Sequence, residues 1–487
     1  MAGQERSSSS SMSRLLSQAE EKLPPFVAGA IVDLAMRASN PHRGSRIAKY
    51  GFEYLVTKTK EYLLLDPVTF DPEVKQTFLG SHPIFLMLRT VASQFPFNAS
   101  SYAQVVRPLL LFKDGPKLGA SDAKGSAFDF DQEFQKLFGL SLADFTVVSF
   151  VAWTAAAAMP QGFSGDYFVE AKRRRIKLPG DDIILTAISH LTADPVRMRE
   201  TKERLRQPDR RFRMYDPNPL LTYPILRPFK SDRWSLTDGS RLIAPLPNLI
   251  PYKLTTGLYY ELKRARGKDF TRWFGYRFEA YIGQLLLHSV PSGSLWSENA
   301  LRASYPTTRG KAPDWVVLDG STCIIVECKA TEFYRDVVPK ADGEHIHDNL
   351  EQTRKGLRQL YEFRQAIMNK TPGLEAFHHC SQIMPLLVTL EPLYLMNGGL
   401  GRDFLEGMLA SEGLTKFPWQ ILDMQSLEIL QPHLKGGFGF SRALEMIGNS
   451  ADPDHGVNRI AQSTGLTFKD GFMNKKFDEL IEGLGLR

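Results

Sequence analysis

Three charged residues near a short apolar segment carry the chemistry that this sequence suggests. Asp314 follows Pro313, and after twelve further residues come Glu327, Cys328 and Lys329. Magnesium is a hard cation that proteins usually hold through one or two carboxylates together with phosphate and water. An ammonium group nearby stabilises negative charge that develops at a reacting phosphorus centre. These residue types therefore predict metal-assisted chemistry at a phosphodiester.

Two apolar strands must bring these residues together. Residues 315–318 predict a first strand and residues 323–326 predict a second, nearly continuous in apolar side chains, as in a strand that is buried on both faces. Asp319-Gly320 between them is a strong tight-turn signal. The loop ends at Gly320 or extends through Ser321. The segment therefore predicts an antiparallel hairpin.

The hairpin predicts a common position for the charged residues. The start of its first strand lies beside the end of its second, which places Asp314 next to Glu327 and Lys329. Residues two apart on a strand point to one face, so Glu327 and Lys329 share a face while the Cys328 side chain points into the core. Converging carboxylates are costly unless a cation neutralises them. We therefore predict Mg²⁺ (or Mn²⁺) bound by Asp314, Glu327 and the backbone carbonyl of Cys328, with Lys329 orienting or deprotonating the attacking water.

Pro313-Asp314 followed by Glu327-Cys328-Lys329 resembles the signature of the PD-(D/E)XK nuclease superfamily. The resemblance covers roughly residues 270–430 and does not include the N-terminal half. It implies an α/β C-terminal domain with a restriction-endonuclease-like fold, preceded here by a mainly α-helical N-terminal region. It also implies a PD-(D/E)XK-type phosphodiesterase that acts as an endonuclease or an exonuclease.

Two further site residues are implied by the resemblance. The superfamily often adds an acidic residue from the helix before the hairpin, and Glu279 matches it as a residue that supports the metal. The helix after the hairpin often carries a Gln or Lys that faces the site. Gln352, Lys355 and Gln359 share one helix face, and Gln359 is the first choice among them. The alternative for each is an ordinary side chain on a solvated helix.

The charge of the chain is unevenly distributed. Its net charge is +6, but residues 170–277 hold 24 basic and 12 acidic side chains, whereas residues 1–169 are balanced and residues 278–487 carry a net −6. A cationic middle beside an acidic end that bears the motif suits a polyanion held near a metal site. The alternative is a solvated basic surface. The residues predicted to bind nucleic acid are Lys263, Arg264, Arg266, Lys268, Arg272 and Arg277.

The pattern of polar and proline-rich stretches predicts four regions. Residues 1–12 are a disordered tail, and residues 13–215 form a mainly helical domain. Residues 216–265 are a proline-rich junction with short extended segments, because proline interrupts helices. Residues 266–487 form the nuclease-like domain.

Five further elements are predicted around the hairpin. Residues 257–266 and 270–289 predict two helices before it, the second of them amphipathic. Residues 348–369 predict a long helix after it, and residues 384–390 and 420–422 predict two strands. The C-terminal third is therefore expected to run helix, hairpin, helix, strand, and to end in helices.

Several classes of protein do not fit this sequence. The three cysteines show neither a disulfide framework nor metal-ligand spacing, which favours a reducing compartment. No secretory signal pattern is present, and the longest apolar run, residues 145–159, is shorter than the roughly 20 residues of a membrane span. We therefore expect a cytoplasmic protein without a membrane partner. The absence of a Gly-x4-Gly-Lys-Ser/Thr loop argues against an ATP-driven motor.

These features together predict a metal-dependent nuclease that hydrolyses phosphodiester bonds of nucleic acid, with DNA preferred over RNA. The N-terminal half would then recognise substrate, bind a protein partner or restrain the nuclease. Nucleases of this superfamily with large N-terminal regions resemble bacterial restriction or anti-phage defence effectors, and a homo-oligomer is left open. The alternative is a catalytically silent nucleic-acid-binding or scaffold subunit on a nuclease-like fold. A third reading is an interaction module that is active only within a multi-subunit defence complex.

Overall fold

The described part of the chain covers most of its second half and selected helices of its first half. The computed structural model describes residues 25–38, 103–113, 128–206, 216–227, 235–237, 239–306, 310–331, 343–393, 396–448, 453–466 and 471–486. The predicted disordered tail, residues 1–12, lies outside these ranges.

Helices predominate in the described N-terminal part, which also contains a pair of two-residue strands. Its helices are α1 (Pro25–Ala38), α2 (Ala103–Pro108), α3 (Phe130–Phe138), α4 (Leu142–Ala158), α5 (Asp166–Arg173), α6 (Asp181–Leu191) and α7 (Pro195–Leu205). A π-helical turn, Leu109–Lys113, continues α2. The strands β1 (Thr192–Ala193) and β2 (Ile225–Leu226) pair in parallel. The predicted helical character of this part is confirmed.

Helix α4 shows how the sequence begins a helix. The Ser141 side chain accepts a hydrogen bond from the Asp144 backbone N–H at 3.1 Å, which caps the first turn of α4. The helix that follows is almost wholly apolar and is buried. Within the described residues, no single helix combines the length and the apolar composition of a membrane span.

The C-terminal half contains a five-stranded mixed sheet. Its strands are β3 (Leu295–Ser297), β4 (Trp315–Asp319), β5 (Thr322–Lys329), β6 (Gln382–Thr389) and β7 (Gln420–Asp423), and they lie side by side in chain order. The first three are antiparallel and the last three are parallel. The predicted hairpin and the two later strands are therefore confirmed, each with slightly different ends, and β3 is an additional strand that the sequence patterns did not predict.

The described C-terminal half also contains nine helices. They are α8 (Leu249–Tyr252), α9 (Leu258–Leu287), α10 (Glu298–Arg302), α11 (Gly343–Met368), α12 (Gly399–Ala410), α13 (Met424–Lys435), α14 (Phe440–Gly448), α15 (Pro453–Thr464) and α16 (Phe472–Gly483). The two helices predicted before the hairpin both lie in α9, which has a kink at Gly267, where φ of 56° and ψ of −131° are not helical, so the predicted break between two helical segments is observed. Helix α11 connects β5 to β6, as parallel strands require.

The proline-rich stretch contains short pieces of structure. A 3₁₀ turn, Pro219–Leu221, is followed by β2, and isolated bridges join Leu242 to Phe163 and Ile243 to Leu226. The stretch ends in α8 and a π-helical turn, Lys253–Gly257, that leads directly into α9. The short extended segments predicted here are therefore observed.

The turn of the hairpin lies one residue later than its strongest sequence signal. Asp319 still pairs with Thr322, so Gly320 and Ser321 form the turn, and Gly320 has a φ of 63° that favours glycine. The Asp319 carboxylate accepts hydrogen bonds from the backbone N–H and the hydroxyl of Ser441, each at 2.7 Å. Asp319 is thus a strand residue that ties β4 to the start of α14.

The two faces of β5 contact different cores. Ile324 and Val326 belong to a large core that also contains residues of α4, α9 and α13, whereas Cys323 and Ile325 belong to a smaller core with residues of α11. The large core is continuous from Phe145 in the N-terminal part to the sheet. The helical part therefore packs on the same core as the strand that carries the motif, and the proposed domain boundaries stay a prediction.

Candidate active site

Asp314 is held in place through its backbone and its side chain. It stands directly before β4, whose first residue, Trp315, pairs with Val326 of β5. Its carboxylate oxygen Oδ2 accepts a hydrogen bond from the Cys328 backbone N–H at 2.7 Å. Its backbone carbonyl accepts another from the Glu298 N–H at 2.8 Å. The hairpin thus brings Asp314 to the end of β5, beside the residues of the motif.

Glu327 and Lys329 form a direct ion pair on the face of β5 that α11 covers. Glu327 is 1% exposed, and its second oxygen, Oε2, is buried without a hydrogen-bond partner in the described structure. The Lys329 side chain runs beneath α11 where that helix has a glycine. A Cβ at Gly356 would lie 3.3 Å from Lys329 Cγ and 3.5 Å from Cε. The glycine therefore leaves room for the lysine between helix and sheet.

Burial and nearby charges set the pKa values of the two carboxyls. Burial raises the pKa of Glu327 to about 8, and the neighbouring Asp314 adds to the rise while Lys329 opposes it. Burial also raises the pKa of Asp314 to about 6, against the opposing effects of Lys329 and the Cys328 N–H. Burial alone would lower the pKa of Lys329, but Glu327 and Asp314 raise it above its ordinary value. The site therefore places two carboxyls with raised pKa values beside a lysine whose pKa is also raised.

A divalent cation fits this arrangement. The unpartnered oxygen of Glu327 and the carboxylate of Asp314 supply hard oxygen ligands. The pairing of β4 with β5 ends at Val326, and the Cys328 N–H beyond it donates to the Asp314 carboxylate. Because the N–H and C=O of one strand residue point the same way, the Cys328 carbonyl also faces the side of Asp314. Within the described residues no group of three or more His, Cys, Asp or Glu side chains converges as a metal site. Water and phosphate would therefore complete the coordination.

Glu279 lies close to the hairpin but on the α9 side of β5. Its backbone carbonyl accepts a hydrogen bond from Trp315 Nε1 at 3.3 Å. Burial raises the pKa of the Cys328 thiol, and Asp314 and Glu279 raise it further, so both carboxylates act at the same thiol. Because Cys328 and Glu327 point to opposite faces of the strand, Glu279 and Glu327 lie on different faces of β5. The metal role of Glu279 stays a prediction.

Gln359 lies further from the end of β5 than its neighbours on α11. The helix runs antiparallel to β5 because it connects two parallel strands, so its N-terminal part lies nearer the end of β5. Gly356 is the α11 residue placed beside Lys329, and Gln359 follows it in the direction away from the site. Lys355, on the same face, forms an ion pair with Glu351 at 3.3 Å. The proposed role of Gln359 is not tested by these contacts.

Glu298 is a further acidic residue beside the site that the sequence patterns did not identify. It begins α10, directly after β3, and its backbone N–H holds the Asp314 carbonyl. Its carboxylate pairs with Arg302 at 3.0 Å and adds to the raised pKa values of both Asp314 and Glu327. Ser297 caps this helix, and Ser297 followed by Glu298 is the sequence signal that could have predicted the start of a helix here. Only the pairing of β3 with β4 shows that Glu298 lies beside the motif.

Arg277, one of the residues predicted to bind nucleic acid, is buried in the structure. Its guanidinium is buried, donates a hydrogen bond to the Leu111 carbonyl at 3.2 Å and lies 5.9 Å from the centre of the Trp273 ring. The helical period of α9 turns this position toward the core, where it binds the π-helical turn after α2. Arg277 is therefore a structural cation and is removed from the predicted nucleic-acid-binding set.

The other members of that set differ in their surroundings. Arg266 is half-buried and forms an ion pair with Glu133, and Lys263 is also half-buried. Exposed members without an ion pair to any other described residue are Arg264, Lys268 and Arg272. These three remain available to a ligand at the surface of α9.

Comparison of the chain with protein-family models, with curated proteins and with solved structures gave no match. The resemblance to PD-(D/E)XK nucleases therefore depends on the motif residues Asp314, Glu327 and Lys329 and stays a hypothesis. The arrangement itself has a clear chemical capacity, because it can hold a hard cation on two carboxylates beside a protonated amine.

Glu327→Gln is expected to become more stabilising as pH rises. A carboxyl whose pKa is higher in the folded state than in the unfolded state opposes folding above its unfolded pKa, and this opposition is complete above its folded pKa. For Glu327 the affected window runs from its ordinary value of 4.5 to about 8. We expect the variant to gain a few kcal/mol of unfolding free energy relative to the wild type between pH 5 and 8.5, since one pKa unit is about 1.4 kcal/mol. The measurement is made in EDTA, so that no bound metal contributes.

The matched control for this measurement is Glu362→Gln, on an exposed position of α11. The Glu327→Gln effect on the free energy of unfolding should change with pH several times more than the Glu362→Gln effect does. A Glu327→Gln effect that changes with pH no more than that of the control would contradict the raised pKa.

Proposed function

We propose that this protein is a metal-dependent nuclease that hydrolyses phosphodiester bonds of nucleic acid. The observation that carries the proposal is the buried oxygen of Glu327 without a partner, beside Asp314 and in an ion pair with Lys329. Strongly shifted pKa values with a specific charged neighbour are concentrated at functional sites. A purely structural hairpin end would gain nothing from two carboxyls that destabilise each other.

Each residue of the motif would have a separate role in phosphodiester hydrolysis. A bound Mg²⁺ or Mn²⁺ would supply a Lewis acid and lower the pKa of a coordinated water. Asp314, Glu327 and the Cys328 carbonyl would hold that cation. Lys329 stays protonated at neutral pH because its pKa is raised, so it acts as a fixed positive charge toward the attacked phosphate and not as a general base.

The surface of α9 supports nucleic acid as the substrate. Lys268 and Arg272 are four residues apart on this helix, and Glu279 follows seven residues later, so the three lie along one helix face. Some exposed cationic side chains elsewhere are paired with a carboxylate, as Arg174 is with Glu170 at 3.0 Å, whereas among the described residues Lys268 and Arg272 are not. Unpaired cations that lead toward a metal site suit the phosphates of a polynucleotide. We propose DNA as the preferred form, with RNA as the alternative substrate.

The wider setting follows from the same proposal. The order α9, hairpin, α11 and β6 supports a restriction-endonuclease-like arrangement of the C-terminal half. Cys323 and Cys328 are buried free thiols, which suits a reducing compartment such as the cytoplasm. The large helical part packs on the core of the nuclease-like sheet, which suits the role of recognising substrate or restraining cleavage, as in defence effectors.

Purified protein is expected to cleave DNA with Mg²⁺ or Mn²⁺ and to lose all cleavage in EDTA. The panel should contain single- and double-stranded DNA and RNA, linear and circular, so that endonuclease and exonuclease products are separated on gels. Restoration by added metal distinguishes loss of the cation from unfolding. Salt-sensitive binding without cleavage of any substrate by any metal would contradict the catalytic claim and favour a silent nucleic-acid-binding subunit.

A further inference from the structure

Trp315 and Gly283 make a close contact between the strand and the helix that flank the site. Gly283 is buried in α9, and a Cβ built on it would lie 2.5 Å from Cη2 and 2.7 Å from Cε2 of the Trp315 indole, and closer still to Cζ2. No side chain fits there without moving the ring. Glycine inside a helix lowers helix stability relative to alanine. At position 283 this loss is offset by the close contact with the indole, which a larger residue would prevent.

The indole is also fixed by a hydrogen bond. Trp315 Nε1 donates to the Glu279 carbonyl at 3.3 Å. That carbonyl is one helical turn before Gly283, and in an α-helix it accepts the Gly283 N–H. The ring therefore lies across a single turn of α9, bonded at one end of the turn and packed on the glycine at the other.

The same tryptophan is fixed at its backbone. It pairs with Ser297 of β3 on one side and with Val326 of β5 on the other. It directly follows Asp314. The indole of Trp315 thus packs on the turn of α9 that carries Glu279, while its backbone is bonded directly to Asp314. Trp315 is therefore the single residue that connects this helical turn to Asp314.

We propose that Trp315, seated on Gly283, is the positioning residue that sets the spacing between Glu279 and Asp314 and so makes Glu279 part of the catalytic site. This inference rests on the proposed nuclease function. A shift of about 1 Å in reacting groups can lower a rate about 100-fold, so a displaced ring has a measurable effect.

Two variants test the contact, each with a matched control. Gly283→Ala pushes the ring off the helix, whereas Gly275→Ala makes the same change on the same helix where a Cβ meets no atom within 4 Å. Trp315→Phe keeps an aromatic ring but removes the N–H donor, and Trp296→Phe makes the same change in β3, on the other core. The second pair keeps the test valid if Gly283→Ala fails to fold.

The expected result is a fall in kcat of about 10- to 100-fold for Gly283→Ala and Trp315→Phe, with KM for nucleic acid unchanged. The rise in Tm on adding Mn²⁺ should be smaller in these two variants than in the wild type. Both controls should keep the wild-type kcat and the wild-type Mn²⁺ shift. Indole emission of Gly283→Ala should also differ from that of Gly275→Ala, because the ring of Trp315 has moved.

Equal kcat and equal Mn²⁺-induced shift in test and control variants would overturn the positioning role while leaving the nuclease proposal intact. If the wild type cleaves nothing, the nuclease proposal fails instead. The Mn²⁺-induced shift then decides the positioning role alone: a reduced shift in Gly283→Ala or Trp315→Phe supports it, and an unchanged shift refutes it.

Discussion

Asp314→Asn is expected to lower the cleavage rate by about 10²- to 10³-fold, the range found when a group that stabilises transition-state charge is removed. Asparagine keeps the size of the side chain and an oxygen that can accept the Cys328 N–H, so the hairpin should fold normally. It loses the charge that attracts a divalent cation. The rise in Tm on adding Mg²⁺ should shrink together with the rate.

Lys329→Met is expected to lower the rate by a similar factor for a different reason. Methionine fills the space beneath Gly356 but carries no charge, so the phosphate loses its cationic partner and Glu327 loses its ion pair. The Mg²⁺-induced rise in Tm should persist, since both carboxylates remain. The two variants therefore separate metal binding from charge stabilisation.

Controls for these two variants lie on exposed helical positions. Glu362→Gln on α11 and Lys435→Met at the end of α13 remove one charge each from the surface. Both should cleave at the wild-type rate. Cleavage by Asp314→Asn or Lys329→Met at the rate of these controls would show that the motif is not the active site.

Arg107→Met is expected to lower the free energy of unfolding by about 3–5 kcal/mol, the cost of breaking a buried ion pair from one side. Arg107 and Glu428 are both buried and form a two-point ion pair, and the Tyr281 hydroxyl donates to the same carboxylate at 2.7 Å. The change leaves the buried Glu428 side chain without its cationic partner. Urea denaturation followed by circular dichroism measures the loss.

The double variant Arg107→Met with Glu428→Leu should recover much of this stability, because replacing a whole buried pair with apolar residues is often neutral. Lys136→Met is the control, since its pair with Glu133 at 2.8 Å is on the surface and worth under about 1 kcal/mol. An Arg107→Met variant as stable as this control would show that the buried pair contributes nothing.

This buried pair also explains part of what the sequence patterns missed. Arg107, Tyr281 and Glu428 lie in α2, α9 and α13, more than 140 residues apart in the chain for each bond to Glu428. Nothing in the local pattern of any one helix indicates its partner. The same holds for Arg277, which looks like one more cation in a basic stretch and is buried against the carbonyl of Leu111.

The sequence by itself determined the hairpin and the chemistry at its end. Apolar runs, a turn signal and the period of a strand depend on neighbouring residues, so they predicted β4, β5 and the approach of Asp314 to Glu327 and Lys329. Their residue types alone indicated a cation and a phosphate.

Only the tertiary structure decided how that end is surrounded. The approach of Glu298, the seat of Trp315 on Gly283 and the burial that raises the pKa of Glu327 all depend on elements distant in the chain. Such contacts arise when apolar faces of helices and sheet pack together, and packing is a property of the whole fold. Local sequence therefore specifies which groups are present, while packing decides which of them meet and how strongly they are charged.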